Sequence, residues 1–258
     1  MSIIEALILG IVQGLTEFLP VSSSGHLVLA HSFFGLGEPK LFFDICLHFA
    51  TMVAVLIFFR RKVVGLFSSS GRLWRKCIAV GTVPGVIAGL LFEKHVTFIF
   101  VSPRIVSAML IVTAAVLILA QVKISRQVRV TSAISPLRAL WIGSAQAIAI
   151  IPGLSRSAFT ISAGISSGLS AEEAFDFSFL LSVPIIAGAT LYKLISVMSQ
   201  AGGGGVNDAA GFAVGMFFAF LSGLLGLFFL KKAVLFGKIW VFSAYCFLVG
   251  SFGLLMWR

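Results

Sequence analysis

Two polar segments interrupt otherwise apolar stretches of this sequence, and both carry side chains that could bind or transform an anion. The first reads QGLTEFLPVSSSGH over residues 13–26 and holds an acid, three hydroxyls and an imidazole within ten residues. The second reads PGLSRSAFT over residues 152–160 and places an arginine between two serines. Carboxylates and imidazoles accept protons, hydroxyls attack electrophiles, and a guanidinium binds phosphate or carboxylate through two hydrogen bonds. The two segments therefore predict a site for an anionic ligand.

Glu17 and Arg156 stand where a charge is costly, because each lies in an otherwise apolar stretch. A charged side chain in the middle of a membrane helix costs roughly 2.5–3.5 kcal/mol, so such a residue usually has a function or a partner. Gln13 precedes Glu17 by four residues and is expected on the same helix face. Arg156 needs an anion, and two compatible alternatives stay open: a phosphate or carboxylate of a ligand, or an ion pair with Glu17.

Among the four histidines, His26 is expected to be functional because it follows the SSSG run near the acid Glu17. The other three are expected to be structural: His31, His48 and His95. A separate polar group is typical of the start of a helix, with a capping box from serine to glutamate. Its members are Ser170, Glu172, Glu173 and Asp176.

The elements that position the two segments are predicted to be membrane helices. Of 258 residues 59% are hydrophobic and 11% are charged, against about 25% charged in an ordinary soluble domain. This composition excludes a soluble globular protein. The net charge of +10 does not indicate nucleic acid as a partner, because the basic residues lie between apolar runs. Membrane lipids are the expected surroundings, and the three isolated cysteines predict no disulfide.

The apolar runs predict an all-α integral membrane protein. Six are long enough to span a bilayer: 42–59, 77–92, 102–121, 174–194, 210–230 and 239–257. Two further stretches, 3–36 and 139–169, are broken by the polar segments, and each predicts a re-entrant helix–loop–helix hairpin. Thirteen of the 19 Lys and Arg residues lie in three loops, which the positive-inside rule places in the cytoplasm: 60–76, 121–138 and 231–238.

The same order of elements occurs twice, since a hairpin and then three spans fill about 1–121 and again about 139–258. Because three is odd, the two halves are predicted to have inverted topology. Gln13 lies seven residues before Pro20, and Gln146 lies six before Pro152. Inverted repeats with broken helices hold their site near the middle of the bilayer, where the two breaks meet.

With these segments the chain resembles the undecaprenyl-diphosphate phosphatases, also called the bacitracin-resistance family, over nearly its whole length. The resemblance rests on residues 13–26 and 152–160, supported by FSFLLSVP at 177–184 and GTVPG at 81–85. It implies hydrolysis of a C55 polyprenyl diphosphate to the lipid monophosphate and phosphate, which recycles the carrier for cell-wall synthesis. The site is then expected to open to the outer face of the cell membrane.

The resemblance also implies roles for individual residues. Three match the family's catalytic positions: Glu17, His26 and Arg156. Ser23 matches a hydroxyl that lines the phosphates, and it is counted as a fourth catalytic residue because it is the preferred nucleophile. Six are expected to bind the phosphates: Ser22, Ser24, Ser155, Ser157, Thr160 and Gly153. Family members depend on divalent cations, so Mg²⁺ or Ca²⁺ is expected, with Glu17 and Gln13 as ligands. Gln13 stands where many members have Glu, which leaves this chain one fewer charged ligand.

The preferred scheme has Ser23 as nucleophile and His26 as its base. Direct attack by His26, or by water activated through Glu17 and His26, stays open. The alternative function is a transporter or lipid flippase, because inverted repeats with broken helices are common in transporters. That alternative accounts less well for a base, hydroxyls and an acid at one break. Self-association into a homo-oligomer also stays open.

Overall fold

The computed structural model of the protein describes residues 2–34, 41–99, 102–125, 133–200 and 209–257. These residues form eleven helices and no strand, which confirms the all-α fold class. The helices are α1 Ile3–Phe18, α2 Ser23–Phe34, α3 Leu41–Phe58, α4 Arg60–Leu66, α5 Arg72–Ile99, α6 Pro103–Ser125, α7 Pro136–Ile148, α8 Arg156–Ser166, α9 Ala171–Gln200, α10 Ala209–Leu235 and α11 Trp240–Met256. Part of the predicted 121–138 loop, residues 126–132, lies outside the described residues, as do the side chains of His31 and His95.

Four helices in the described part are long and apolar enough to cross a membrane: Arg72–Leu91, Pro103–Ser125, Ala171–Ile195 and Ala209–Leu235. A fifth candidate is the pair Phe42–Phe58 and Arg60–Leu66, which is bent by 80°. Large apolar side chains on these helices are exposed, for example Leu90 and Leu119. Such surfaces suit lipid and not water. The protein is therefore a multi-pass membrane protein with four or five candidate spans in its described residues.

Two pairs of short helices carry the polar segments at their turns. α1 and α2 have 16 and 12 residues, and α7 and α8 have 13 and 11. Each is shorter than the roughly 20 residues that span a bilayer. The hydroxyl of Ser22 accepts a hydrogen bond from Gly25 N at 3.3 Å, and that of Ser155 accepts one from Ala158 N at 3.3 Å. Both turns therefore end in a serine that caps the following helix.

Each first helix of a pair packs on a helix of the other half of the chain. α1 packs on α10, and α7 packs on α5. Both contacts are made through glycines, because a Cβ at Gly10 would overlap the carbonyl of Gly215, and a Cβ at Gly143 would overlap that of Gly81. Small residues let helix backbones approach closely inside a membrane. The two polar turns are thus held by the same kind of contact.

Charged contacts tie the start of α9 to two basic segments. Lys62 of α4 forms an ion pair with the buried Asp176, and Lys231 of α10 pairs with Glu172 at 3.3 Å. Ser170 caps α9 as predicted, since its hydroxyl accepts from Glu173 N at 3.1 Å. The sequence predicts that Asp176 only belongs to the polar start of the helix. The structure adds its ion pair with Lys62, which a carboxylate buried between helices needs.

Candidate active site

Glu17 joins the two polar turns. One of its carboxylate oxygens, Oε1, accepts a hydrogen bond from Arg156 Nη2, and this ion pair joins a buried acid to a partly exposed arginine. Glu17 lies in the last turn of α1, and Arg156 is the first residue of α8. The ion pair expected from the sequence as one of two alternatives is therefore present.

The second oxygen of Glu17, Oε2, accepts two hydrogen bonds and lies close to a histidine. It accepts from the Ser23 hydroxyl at 2.8 Å and from Gln13 Nε2 at 3.0 Å. His48 Nδ1 lies 3.4 Å from the same oxygen. The predicted shared face of Gln13 and Glu17 is confirmed. Because Glu17 Oε2 already accepts the hydrogen bond of the Ser23 hydroxyl, this carboxylate is placed to take the hydroxyl proton.

A cavity of about 240 Å³ opens beside this group. Its polar lining comes from the end of α1, from both turns and from α3 and α9: Thr16, Glu17, Ser22, Ser23, Ser24, His48, Ser155, Arg156, Thr190 and Lys193. Its apolar lining includes Ile45, Leu154, Ile185 and Ile186. The cavity therefore combines one acid, one imidazole, two cations and several hydroxyls with an apolar wall.

The serines of the two turns follow one pattern. Ser22 and Ser24 have hydroxyls 3.4 Å apart, and Ser155 and Ser157 have hydroxyls 3.2 Å apart. The first serine of each pair caps a helix, so the N-termini of α2 and α8 both lie at the site. Free backbone N–H groups and the positive end of the helix dipole favour an anion there.

Two longer helices hold the turns in place. Thr113 of α6 donates its hydroxyl to Gly153 O at 2.9 Å and accepts from Ser155 N at 3.1 Å. In the other half, Cys246 of α11 donates its thiol to Pro20 O at 3.6 Å. Backbone groups in a membrane need such internal partners, so these bonds stabilise non-helical backbone at the breaks.

His26 is not among the residues that line the cavity. Its Nδ1 donates to Ser22 O at 2.8 Å, since a carbonyl oxygen can only accept, and its Nε2 lies 2.7 Å from the Tyr245 hydroxyl. The expected Ser23–His26 pair is corrected here, because both ring nitrogens have other partners and the Ser23 hydroxyl donates to Glu17. His26 lies one helical turn after the capping residue Ser22, and its side chain is directed to Tyr245 of α11 and not to Ser23.

Three residues expected to bind phosphate also lie outside the cavity lining. Thr160 has its hydroxyl 2.5 Å from that of Ser178, and Ser157 pairs with Ser155. Gly153 has φ +90°, and a Cβ there would meet Val106 O. These side chains and this glycine support the second turn in the structure, and their contact with the ligand stays a prediction.

Two ionisable residues that line the cavity are not predicted from the sequence to belong to the site. The sequence predicts a structural role for His48, and Lys193 lies within a predicted span. Each is an ionisable residue inside an apolar helix, which is itself an indication of a functional site. That indication could have selected both residues.

A divalent cation fits the site only if the bound substrate supplies some of the coordinating oxygens. The described residues contain no group of three or more His, Cys, Asp or Glu that could hold a metal. Gln13 Oε1 is buried and has no hydrogen-bond partner, so it could bind a cation next to Glu17. Mg²⁺ is commonly bound by one or two carboxylates together with substrate phosphates and water. One carboxylate and one amide oxygen suit that arrangement.

Comparisons with known proteins assign the chain to a family. The family model described as bacitracin resistance protein BacA matches residues 6–252. A relative from Desulfosudis oleivorans is 41% identical, covering 98% of this chain and 97% of its own. Another, from Carboxydothermus hydrogenoformans, is 42% identical, covering 97% and 95%. Both relatives are named undecaprenyl-diphosphatase. The chain belongs to the BacA family of bacitracin resistance proteins.

Proposed function

We propose that this protein is an undecaprenyl-diphosphate phosphatase of the cell membrane. It releases phosphate from the lipid diphosphate and returns undecaprenyl phosphate as a carrier for cell-wall synthesis, which confers bacitracin resistance. The observation that carries this proposal is the Glu17 carboxylate, bound by Arg156 on one oxygen and by the Ser23 hydroxyl on the other. Relatives about 40% identical over nearly the whole chain are named undecaprenyl-diphosphatase.

The diphosphate group binds between the two turns. Arg156, Lys193 and the N-termini of α2 and α8 supply positive charge, and the cavity hydroxyls supply hydrogen bonds. The apolar residues Ile185 and Ile186 line the same cavity and suit the start of the prenyl chain. Fixed donors of this kind stabilise the charge that develops on a transferred phosphoryl group.

The Ser23 oxygen attacks the terminal phosphorus, and Glu17 Oε2 takes the hydroxyl proton. The bond from phosphorus to the bridging oxygen breaks, and the lipid monophosphate leaves with the electron pair. The protonated Glu17 gives this proton to the leaving lipid monophosphate and is ionised again. Water then attacks the phosphoserine, the Glu17 carboxylate takes a proton from that water and returns it to the Ser23 oxygen as phosphate leaves. A water molecule attacking in place of Ser23 would also use Glu17, and attack by His26 is the third scheme. Mg²⁺ or Ca²⁺ held by Glu17 and Gln13 Oε1 would neutralise phosphate charge.

The topology belongs to the same proposal: six spans formed by α3, α5, α6, α9, α10 and α11, with two re-entrant hairpins and an inverted repeat of about 1–121 and 139–258. The glycine contacts support this repeat, since α1 meets α10 as α7 meets α5. The serine caps support it too, because Ser22 and Ser155 have the same bonds. So do Thr113 and Cys246, which bind the two turns.

The orientation has the basic loops 60–76, 121–138 and 231–238 in the cytoplasm and the site open to the outer face. The ion pairs support it, because Lys62 and Lys231 both contact the start of α9. The cavity lies towards the far end of that helix, at residues 185–193, and near the first half of α3. A cavity at the end away from the basic loops faces outward.

The test is phosphate release from undecaprenyl diphosphate by the protein purified in detergent. Wild type is expected to release phosphate, and Glu17→Gln is expected to lose at least about a hundredfold in rate. Glu5→Gln is the matched control, because Glu5 is an exposed acid on the same helix. No release by the wild type, together with lipid transport in vesicles, would favour the flippase alternative.

A further inference from the structure

His48 reaches the site from an element that the two polar turns do not include. It lies on α3, lines the cavity, and has 36% of its side chain exposed. Its Nδ1 lies 3.1 Å from Gln13 Nε2 and 3.4 Å from Glu17 Oε2. The catalytic scheme derived above does not use this imidazole.

The position of Gln13 determines which nitrogen of His48 carries a hydrogen. Gln13 Nε2 lies 3.0 Å from Glu17 Oε2, and the reversed amide would bring two acceptor oxygens together. The amide nitrogen therefore faces both Glu17 and His48, so His48 Nδ1 accepts its hydrogen bond. In a neutral imidazole the other nitrogen, Nε2, is then the donor.

We propose that His48 donates its Nε2–H to a non-bridging phosphate oxygen of the bound diphosphate, which makes it a further catalytic residue. This inference rests on the proposed function and adds a contact from α3 to those from the two turns. Arg156 already uses one nitrogen on Glu17. A neutral donor on the other side of Glu17 stabilises the transferred group without a further buried positive charge.

Two amide substitutions separate this role from a structural one. His48→Gln carries an amide nitrogen near the position of Nε2, whereas His48→Asn carries its amide near the position of Nδ1. We expect the Gln variant to stay within about threefold of wild type in kcat/KM, and the Asn variant to lose about ten- to a hundredfold, as for a hydrogen bond to a charged group. Phe49→Leu is the control, since Phe49 is exposed on the same helix.

The measurement is phosphate release from undecaprenyl diphosphate in detergent, with thermal unfolding of each variant recorded in parallel. An active Asn variant together with an inactive Gln variant would overturn the proposal. Such a result would mean that activity depends on the Nδ1 contact with Gln13 and not on a donor at Nε2. Equal activity of the two variants would overturn it as well. A wild type without activity would instead contradict the proposed function, so the two failures are distinguishable.

Discussion

Arg156, which is partly exposed, forms an ion pair with the buried Glu17, and the two residues are 139 positions apart in the chain. The pair holds the start of α8 against the end of α1, and it leaves the second Glu17 oxygen to the Ser23 hydroxyl. Removing Arg156 would leave the buried Glu17 carboxylate without its cationic partner, which destabilises the protein. The pair therefore has a structural role, and the proposed function adds a chemical one.

Arg156→Lys should lower kcat/KM by about a hundredfold, because a point charge cannot bind Glu17 and a phosphate as a planar fork does. Phosphate release in detergent measures this loss. Arg138→Lys is a control away from the cavity described above. Near-normal turnover of the Arg156 variant would show that its role is structural only.

Ser23 should carry phosphate during turnover. Rapid quenching with undecaprenyl diphosphate labelled in its terminal phosphate is expected to give a labelled peptide that contains Ser23, because its hydroxyl lies 2.8 Å from the carboxylate base. Ser24→Ala should keep the label, and Ser23→Ala should lose it. A label on His26 would contradict the serine scheme, and no label at any residue would favour direct attack by water.

His26→Asn should keep within about tenfold of wild-type activity, whereas His26→Ala should lose nearly all of it. The Asn amide can still donate to Ser22 O, which is the bond that Nδ1 makes in the structure. The sequence alone instead predicts that any substitution removes the catalytic base. Inactivity of both variants, with unchanged thermal unfolding, would restore that first scheme.

Gln13→Glu should raise the dependence on divalent cations. In the wild type the Gln13 amide nitrogen contacts both Glu17 and His48. The substitution replaces this amide by a second carboxylate beside Glu17, and two neighbouring carboxylates repel each other unless a cation lies between them. Activity before and after treatment with EDTA measures this change. The variant is expected to lose at least about tenfold more activity than wild type on chelation. Equal sensitivity to EDTA would argue against a ligand role for residue 13.

Gly10→Ala should destabilise the fold by about 1–3 kcal/mol, because the new methyl group overlaps the carbonyl of Gly215. Gly89→Ala is the matched control, since a Cβ at this helical glycine meets nothing within 4 Å. That control should leave stability unchanged or raise it by up to about 1 kcal/mol. Thermal unfolding in detergent compares the two. Equal midpoints would contradict close packing of α1 on α10.

The sequence by itself determined the features that depend on nearby residues. Apolar runs indicate membrane helices because the bilayer core requires them, and the polar breaks in residues 13–26 and 152–160 stand out against that background. The spacing of Gln13 and Glu17 is a property of one helix. The charge on Arg156 requires an anion wherever the residue lies. These local rules were sufficient to select Glu17, Arg156 and the two serine-rich turns as candidates for the site.

Only the tertiary structure decided which side chains meet in the cavity. His48 and Lys193 come from α3 and α9, and nothing in their local sequence says that these helices line the same cavity as the two turns. His26 is directed to Tyr245, 219 positions away, because the contacts of α2 set its direction. Helix packing depends on close approach at residues such as Gly10 and Gly143, far apart along the chain. Contacts of this kind follow from the summed packing of whole helices, and periodicity along one helix does not contain them.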